Sequence, residues 1–175
     1  LYRVGAKLFK IEPSTTIFLK NPLKMSKGRK AQVARVKREG VIIQESDDFT
    51  NFIRLENLIL SEHYNTKAAH TSEELKLLKS RFGDKIQLWI AEYRGRLIAG
   101  TVIFIYENVV HTQYLAADET AREIGGLDLL IKTLMDKFSE SHTYFDFGIS
   151  SENNGQYLNE GLIAQKEGFG GRAIA

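Results

Sequence analysis

Arg122, Gly125 and Gly126 stand where this chain changes period. The run Val109 to Ala116 is β-branched and aromatic, and reads as a strand. Ala117-Asp118-Glu119-Thr120 breaks it. Apolar residues then recur at Ile124, Leu127, Leu130, Ile131, Leu134 and Phe138, which is helical spacing. A strand turning into a helix exposes backbone N–H groups with the positive end of the helix dipole behind them. Such a turn receives an anionic group, for example a pyrophosphate, with Arg122 as a cation and Gly125-Gly126 as bare backbone. An ordinary amphipathic helix with two packing glycines shows the same residues. Asp146 lies between Phe145 and Phe147, so on a strand it points away from them. It is either a base or amine anchor in a cleft, or a partly buried acid held by a partner. By alternation, His111 and Gln113 share one strand face, and Thr112 and Tyr114 the other. His111 and Gln113 suit substrate contact or proton relay, or a satisfied polar network. His63, Tyr64 and His70 fall in a polar stretch, Ser61 to His70, expected to be a loop able to close over a substrate. The spacing of His63, His70 and His111 matches no zinc-ligand pattern, and no metal is expected.

The elements around these residues follow from local signals. Thr15 to Leu19 reads as a strand after Pro13. Lys24, Lys27, Arg29, Lys30, Arg35, Lys37 and Arg38 crowd a helix predicted from about Ser26 and closed by Gly40. That helix is either a solvated face or a docking surface for an anion or RNA. Val41 to Ile43 is expected to be a short buried strand. Asp47 or Asp48 caps a helix through about Leu60, with Phe49, Phe52, Ile53 and Ile59 turned to a core. Thr71 and Glu74 form a capping box for a helix that ends at Gly83. Gln87 to Tyr93, Arg96 to Tyr106 and Val109 to Ala116 form an antiparallel meander joined at Arg94-Gly95 and Glu107-Asn108. Gly100, within it, marks a bulge or a close backbone approach. Tyr144 to Ile149 is a buried strand and Ser150 to Gly155 a polar turn. Glu152 and Asn153-Asn154 thus lie just beyond a strand, where α/β sheets tend to carry sites. Tyr157 to Lys166 is a short helix, and a last strand begins at Arg172. The fold class is α/β with a mixed sheet.

Composition narrows the classes. The 175 residues suffice for one domain with a core. A net charge of +2 is too mild for binding nucleic acid along the whole chain. There is no cysteine, which removes disulfide and thiolate chemistry and fits a reducing cytoplasm. No apolar run reaches the roughly 18 residues a membrane span requires, and no signal peptide is visible. The chain opens without methionine and ends on what reads as an unfinished strand. One domain over 1–175, a piece of a longer protein, is the expectation.

Meander, phosphate-turn helix, strand, helix and strand, in that order, resemble the GNAT (Gcn5-related N-acetyltransferase) fold. Arg122-x-x-Gly125-Gly126 is similar to the GNAT pyrophosphate motif, with Leu127 where that pattern has Gly or Ala. Three parts resemble the FemABX-like branch more closely. They are the basic helix Arg29 to Gly40, the Phe145-Asp146-Phe147-Gly148 strand, and Lys166-Glu167-Gly168-Phe169-Gly170. The strings His111-Thr112-Gln113-Tyr114 and Leu158-Asn159-Glu160-Gly161-Leu162 look like uncharacterised GNAT-family acetyltransferases of that branch. Fem-type proteins carry two GNAT-like halves, which implies a second such domain beside this one.

The resemblance implies acyl transfer to an amine. That needs an anchored donor, a route for the amine proton and stabilisation of an oxyanion. Arg122, Gly125 and Gly126 would hold acetyl-CoA or another acyl-CoA. Lys166, Asp146 and Glu152 would be catalytic; Lys166 otherwise is a surface lysine complementing a helix end. His63, Tyr64, His70, His111, Gln113, Tyr114 and Asn159 would meet a small-molecule or cell-wall-precursor amine. One alternative is an aminoacyl-tRNA donor for a peptidoglycan precursor, with tRNA on the basic helix. The other is a non-catalytic half with a docking role.

Overall fold

The computed structural model describes residues 5, 10, 12–152 and 155–174. The meander forms as its alternation predicts. β3 (Ile86–Tyr93), β4 (Arg96–Ile105) and β5 (Val109–Ala117) pair antiparallel. β2 (Ile42–Ser46) adds to the free side of β3. The sequence predicts a buried strand here, but among the described residues β2 is an edge strand, with Val41 buried and Ile42 exposed. β6 (Tyr144–Ile149) joins the other side of β5 in parallel. β1 (Ser14–Phe18) then lies antiparallel to β6, and β9 (Arg172–Ile174) pairs with β1. The seven-stranded order is β2-β3-β4-β5-β6-β1-β9. The insertion of β1 between β6 and β9 joins residues far apart in the chain, which no local pattern announces.

Helices cover both faces. α1 (Lys27–Val36) and α5 (Gly126–Phe138) bury Val33, Val36, Leu130, Ile131 and Leu134 on one face, with Trp89, Ala91 and Ile98 of the sheet. α2 (Phe49–Tyr64) and α3 (Ser72–Phe82) bury Phe49, Phe52 and Leu75 on the other, with Leu88, Ile90 and Val102. Alternate residues of β3 and β4 feed opposite cores, as period two requires. A short α4 (Glu119–Ile124) precedes α5. α6 (Glu160–Gly168) follows a small hairpin of β7 (Ser151–Glu152) and β8 (Tyr157–Leu158).

The starts of the helices are fixed by side chains. Ser26, Asp48, Thr71, Asp118 and Asn159 each accept a backbone N–H from the first turn of α1, α2, α3, α4 and α6. The Thr71–Glu74 capping box is present. Several predicted ends move. α1 stops at Val36, and Gly40 lies in the turn after it. α2 runs on through His63 and Tyr64, so those two close a helix and only Asn65 to His70 is loop. Tyr157 and Leu158 are strand, and α6 starts later, at Glu160.

Gly100 marks a close approach. A Cβ there would sit 2.7 Å from Cδ2 of Phe52, a fully buried ring, and 3.3 Å from the Trp89 carbonyl oxygen. The α2 helix is seated on β4 through this gap. Gly100→Ala should therefore lower the unfolding free energy by about 1–3 kcal/mol, read from urea denaturation, with the same slope as the parent.

Candidate active site

β5 and β6 pair only from Val109↔Tyr144 to His111↔Asp146. Beyond that point β5 stays with β4 and β6 stays with β1, so the two strands diverge. Each carries one extra residue at the parting. In β5, Tyr114 and Thr112 face consecutive residues of β4, which leaves Gln113 bulged out. In β6, the pairing with β1 passes from Asp146↔Thr16 to Ile149↔Ser14, three residues against two, and Gly148 takes a φ of 72°. The vertex is held by Asp146. Its carboxylate accepts from His111 Nδ1 at 2.6 Å, Thr16 Oγ1 at 3.0 Å and Ser14 Oγ. Burial alone would raise this acid, but bonds from His111, Ser14, Thr16 and the Gly148 N–H hold it at about 2.

A cavity of about 720 Å3 passes through the splay. Both faces of the molecule reach it. α2 supplies Glu56, Ile59, Leu60 and His63 from one side, and α1 supplies Arg29 and Gln32 from the other. Arg122, Gly125, Leu127 and Asp128 line it at the junction of α4 and α5, and Gln165 and Lys166 line it from α6. The bulge brings both Thr112 and Gln113 to the wall. It also reverses the face of everything after it. Val110 packs on the α5 side, whereas Tyr114 and Ala116 pack on the α2 side. The expected sharing of a face by His111 and Gln113 is thus overturned: Gln113 lines the cavity, and His111 turns to Asp146.

After the break at Ala117–Thr120 a single helix through Phe138 is expected, and the structure forms two, the first already starting at Glu119. Gly125 adopts φ 90°, ends α4 and begins α5. Asp118 and Ala121 occupy the N–H groups of Ala121, Arg122 and Gly125, and the start of α5 lines the cavity through Gly125, Leu127 and Asp128. A Cβ on Gly125 would lie 2.3 Å from Gln32 Cγ, and one on Gly126 2.8 Å from Ile98 Cδ1. Both glycines therefore also serve packing. Arg29 is ion-paired with the buried Asp128 and lies over Phe169 with its guanidinium 4.4 Å from the ring centre. Burial raises Asp128 despite that partner.

Lys166 is 4% exposed, not a surface lysine. Its Nζ donates to the carbonyls of Gly148 at 3.0 Å and Ile149 at 2.6 Å, at the end of β6. Burial brings its ammonium from 10.5 down to about 8, with the charge of Asp146 opposing. An ammonium has three donors, so one remains for the cavity.

The structure adds a residue that the sequence reading passed over. Glu56 is 7% exposed and lines the cavity, and no hydrogen bond or ion pair reaches its carboxyl among the described residues. Burial alone raises it from 4.5 to about 7. A signal was present: Phe49, Phe52, Ile53, Glu56 and Ile59 are spaced as one buried helical stripe, and the acid sits within it.

The remaining expected site residues fall in three places. His63 and Arg122 meet at the cavity, His63 Nε2 standing 3.4 Å from the guanidinium. His70 and Tyr114 lie away from it and bond each other, Nδ1 to hydroxyl at 2.7 Å. Asn159 caps α6 and donates to Glu152 at 2.6 Å, and neither lines the cavity. The side chain of Tyr64, and Asn153-Asn154, lie outside the described residues. Among the described residues, no group of three or more His, Asp or Glu is arranged to hold a metal ion. No described helix is long and apolar enough to cross a membrane.

The splayed parallel pair with its bulge and helix start defines a class. A family model of the acetyltransferase (GNAT) domain matches residues 24–157, and the chain belongs to that family. Its fold is shared at low identity with several solved structures. FemX is 10% identical with a TM-score of 0.74, over 93% of this chain and 60% of that one. The C-terminal domain of a putative lysylphosphatidylglycerol synthetase from Agrobacterium fabrum is 13% identical with a TM-score of 0.70, over 98% and 60%. An aminoglycoside acetyltransferase from an uncultured soil metagenomic sample, in complex with sisomicin, is 17% identical with a TM-score of 0.54, over 76% and 89%. The chain thus spans about 60% of the length of the first two. No curated protein matches the sequence.

The burial of Glu56 has a cost that depends on pH. Its folded value of about 7 lies above its unfolded 4.5, so the folded state holds the proton more tightly. Stability is therefore greatest below the unfolded value, falls between 4.5 and about 7, and levels off above. Glu56→Gln removes the charged form, so it should raise the unfolding free energy at about pH 8 by roughly 3 kcal/mol and change it little at about pH 4. Urea titrations of both proteins at the two pH values measure this; equal gains at both would show that desolvation of the carboxylate is not the cause.

Proposed function

We infer that this acyltransferase moves an acyl group from an acyl-CoA to an amine. The cavity through the β5–β6 splay carries the reading, because it presents cations and a helix start to one ligand. Arg122, with the first-turn N–H groups of α5, suits a pyrophosphate. Arg29 and Lys166 add positive charge to the same space. The bound donor would supply an activated acyl carbonyl. Lys166 then turns its third donor toward the carbonyl oxygen as negative charge develops there. Asp146, held at about 2, acts as a fixed anion that orients His111 and the vertex and does not accept a proton at neutral pH. His63 and Gln113 border the path of the acceptor.

A second reading takes an aminoacyl-tRNA as donor and a cell-wall precursor as acceptor. Lys24, Lys27, Lys30, Lys37 and Arg38 favour it, since all are exposed on and around α1, whose Arg29 and Gln32 line the cavity. A second GNAT-like half would fit this reading, as would a cytoplasmic site of action for either donor.

Calorimetry with acetyl-CoA separates the two. The acyl-CoA reading expects micromolar binding, weakened about tenfold, or 1.4 kcal/mol, in Arg122→Ala. No heat with acetyl-CoA, together with tRNA binding that falls steeply with salt, would replace the first reading by the second.

A further inference from the structure

Glu56 is absent from every expectation drawn from the sequence, and the fold gives it no structural task. It bonds nothing among the described residues, although helix α2 buries it on the same stripe as Phe52 and Ile53. A buried acid without a partner is costly, and a methionine or leucine would fill the stripe more cheaply. The polar space it adjoins is the cavity. It reaches that cavity from the α2 side, whereas Arg29, Gln32, Gly125 and Asp128 reach it from the α1–α5 side. A donor anchored at the start of α5 and extended through the splay brings its acyl end toward α2. An acceptor entering from that side passes Glu56 and His63.

We propose that Glu56 is the general base of the acyl transfer, receiving the proton of a primary-amine acceptor on the α2 side of the splay. This rests on the acyl-thioester reading of the cavity. As the amine nitrogen bonds to the acyl carbon, one N–H proton passes to a Glu56 carboxylate oxygen. The C–S bond breaks with its electron pair on sulfur. The thiolate takes that proton, directly or through water, and the amide and the free thiol leave with the carboxylate restored. Geometry and acidity agree, since a base is most effective when its pKa lies near the working pH, and burial raises Glu56 to about 7. The charged groups facing it are limited. Arg29, Arg122 and Lys166 share the cavity as cations, Asp128 is engaged by Arg29, and His63 stands against Arg122. Tyr114, behind it on β5, is itself raised by burial and by the charge of Glu56.

The test follows thiol release from acetyl-CoA with a series of primary amines (ethylenediamine, lysine amide, spermidine), beside calorimetry of acetyl-CoA alone. Three proteins are compared: the parent, Glu56→Gln and Glu56→Asp. The proposal expects kcat of the parent to fall below a single ionisation near neutrality. It expects Glu56→Gln to lose about 100-fold or more in kcat and to lose that acidic limb, with unchanged acetyl-CoA affinity. Glu56→Asp should keep the limb at reduced kcat, which a merely structural role would not produce. If the parent turns over and Glu56→Gln keeps its kcat and limb, Glu56 is not the base, though the donor reading stands. Donor binding with no amine turned over also overturns the base and spares the donor. No donor binding and no turnover overturn both.

Discussion

The cavity depends on where β5 and β6 stop pairing. Two parallel strands joined along their length would close the sheet and leave no passage. Here the ladder ends after His111 and Asp146, and each strand carries one extra residue there. Asp146 is the knot at this vertex. It draws bonds from β5 through His111, from β1 through Ser14 and Thr16, and from the Gly148 N–H within its own strand. One carboxylate thus ties three strands at the point where two of them part. A buried acid with several donors is stabilised as an anion, so the knot stays fixed while the strands beyond it are free to frame a cavity.

Around that opening the chain uses buried charge in two ways. Asp128 and Arg29 answer each other, and the pair links α1 to α5 while Arg29 stacks over Phe169. That contact explains the glycines after Lys166: a Cβ on Gly168 would lie 2.5 Å from Arg29 Nε, and one on Gly170 2.5 Å from the Leu23 carbonyl oxygen. The Lys-x-Gly-Phe-Gly string is a socket for α1 as well as the mount for Lys166. Glu56 and Lys166 follow the other pattern. Both are buried at the cavity and shifted toward neutrality by desolvation, one up and one down. Such shifts cost stability and give groups able to exchange protons near neutral pH.

The basic helix divides its charges by the same logic. Arg29 turns inward to the ion pair, while Lys24, Lys27, Lys30, Lys37 and Arg38 face solvent. Its inward residues are few, and Val33 and Val36 carry its burial. α1 is thereby a lid over the start of α5 on one side and a cationic surface on the other.

The sequence by itself determined the local elements and their order. Capping residues, the Thr71–Glu74 box, the meander and the period change after Ala117 were legible because each arises from neighbours within a few residues. The fold class was legible from the order of those elements. Tertiary structure alone decided the rest. Alternation cannot register a bulge, so the side on which Gln113 and His111 fall depends on the pairing with β4. The space left at the Gly125 break is filled by Gln32 of a distant helix, where a Cβ would clash. Asp146 lies opposite its phenylalanines, as alternation expects, but two of its partners come from β1, 130 and 132 residues away, and a third, His111, from β5. Lys166 reads equally as a site cation or as a surface lysine, and only the closure of β6 and α6 around it makes it buried. Glu56 stood in plain view within an apolar stripe. Only the packing of α2 across the splay made its burial, and the cavity beside it, a single fact.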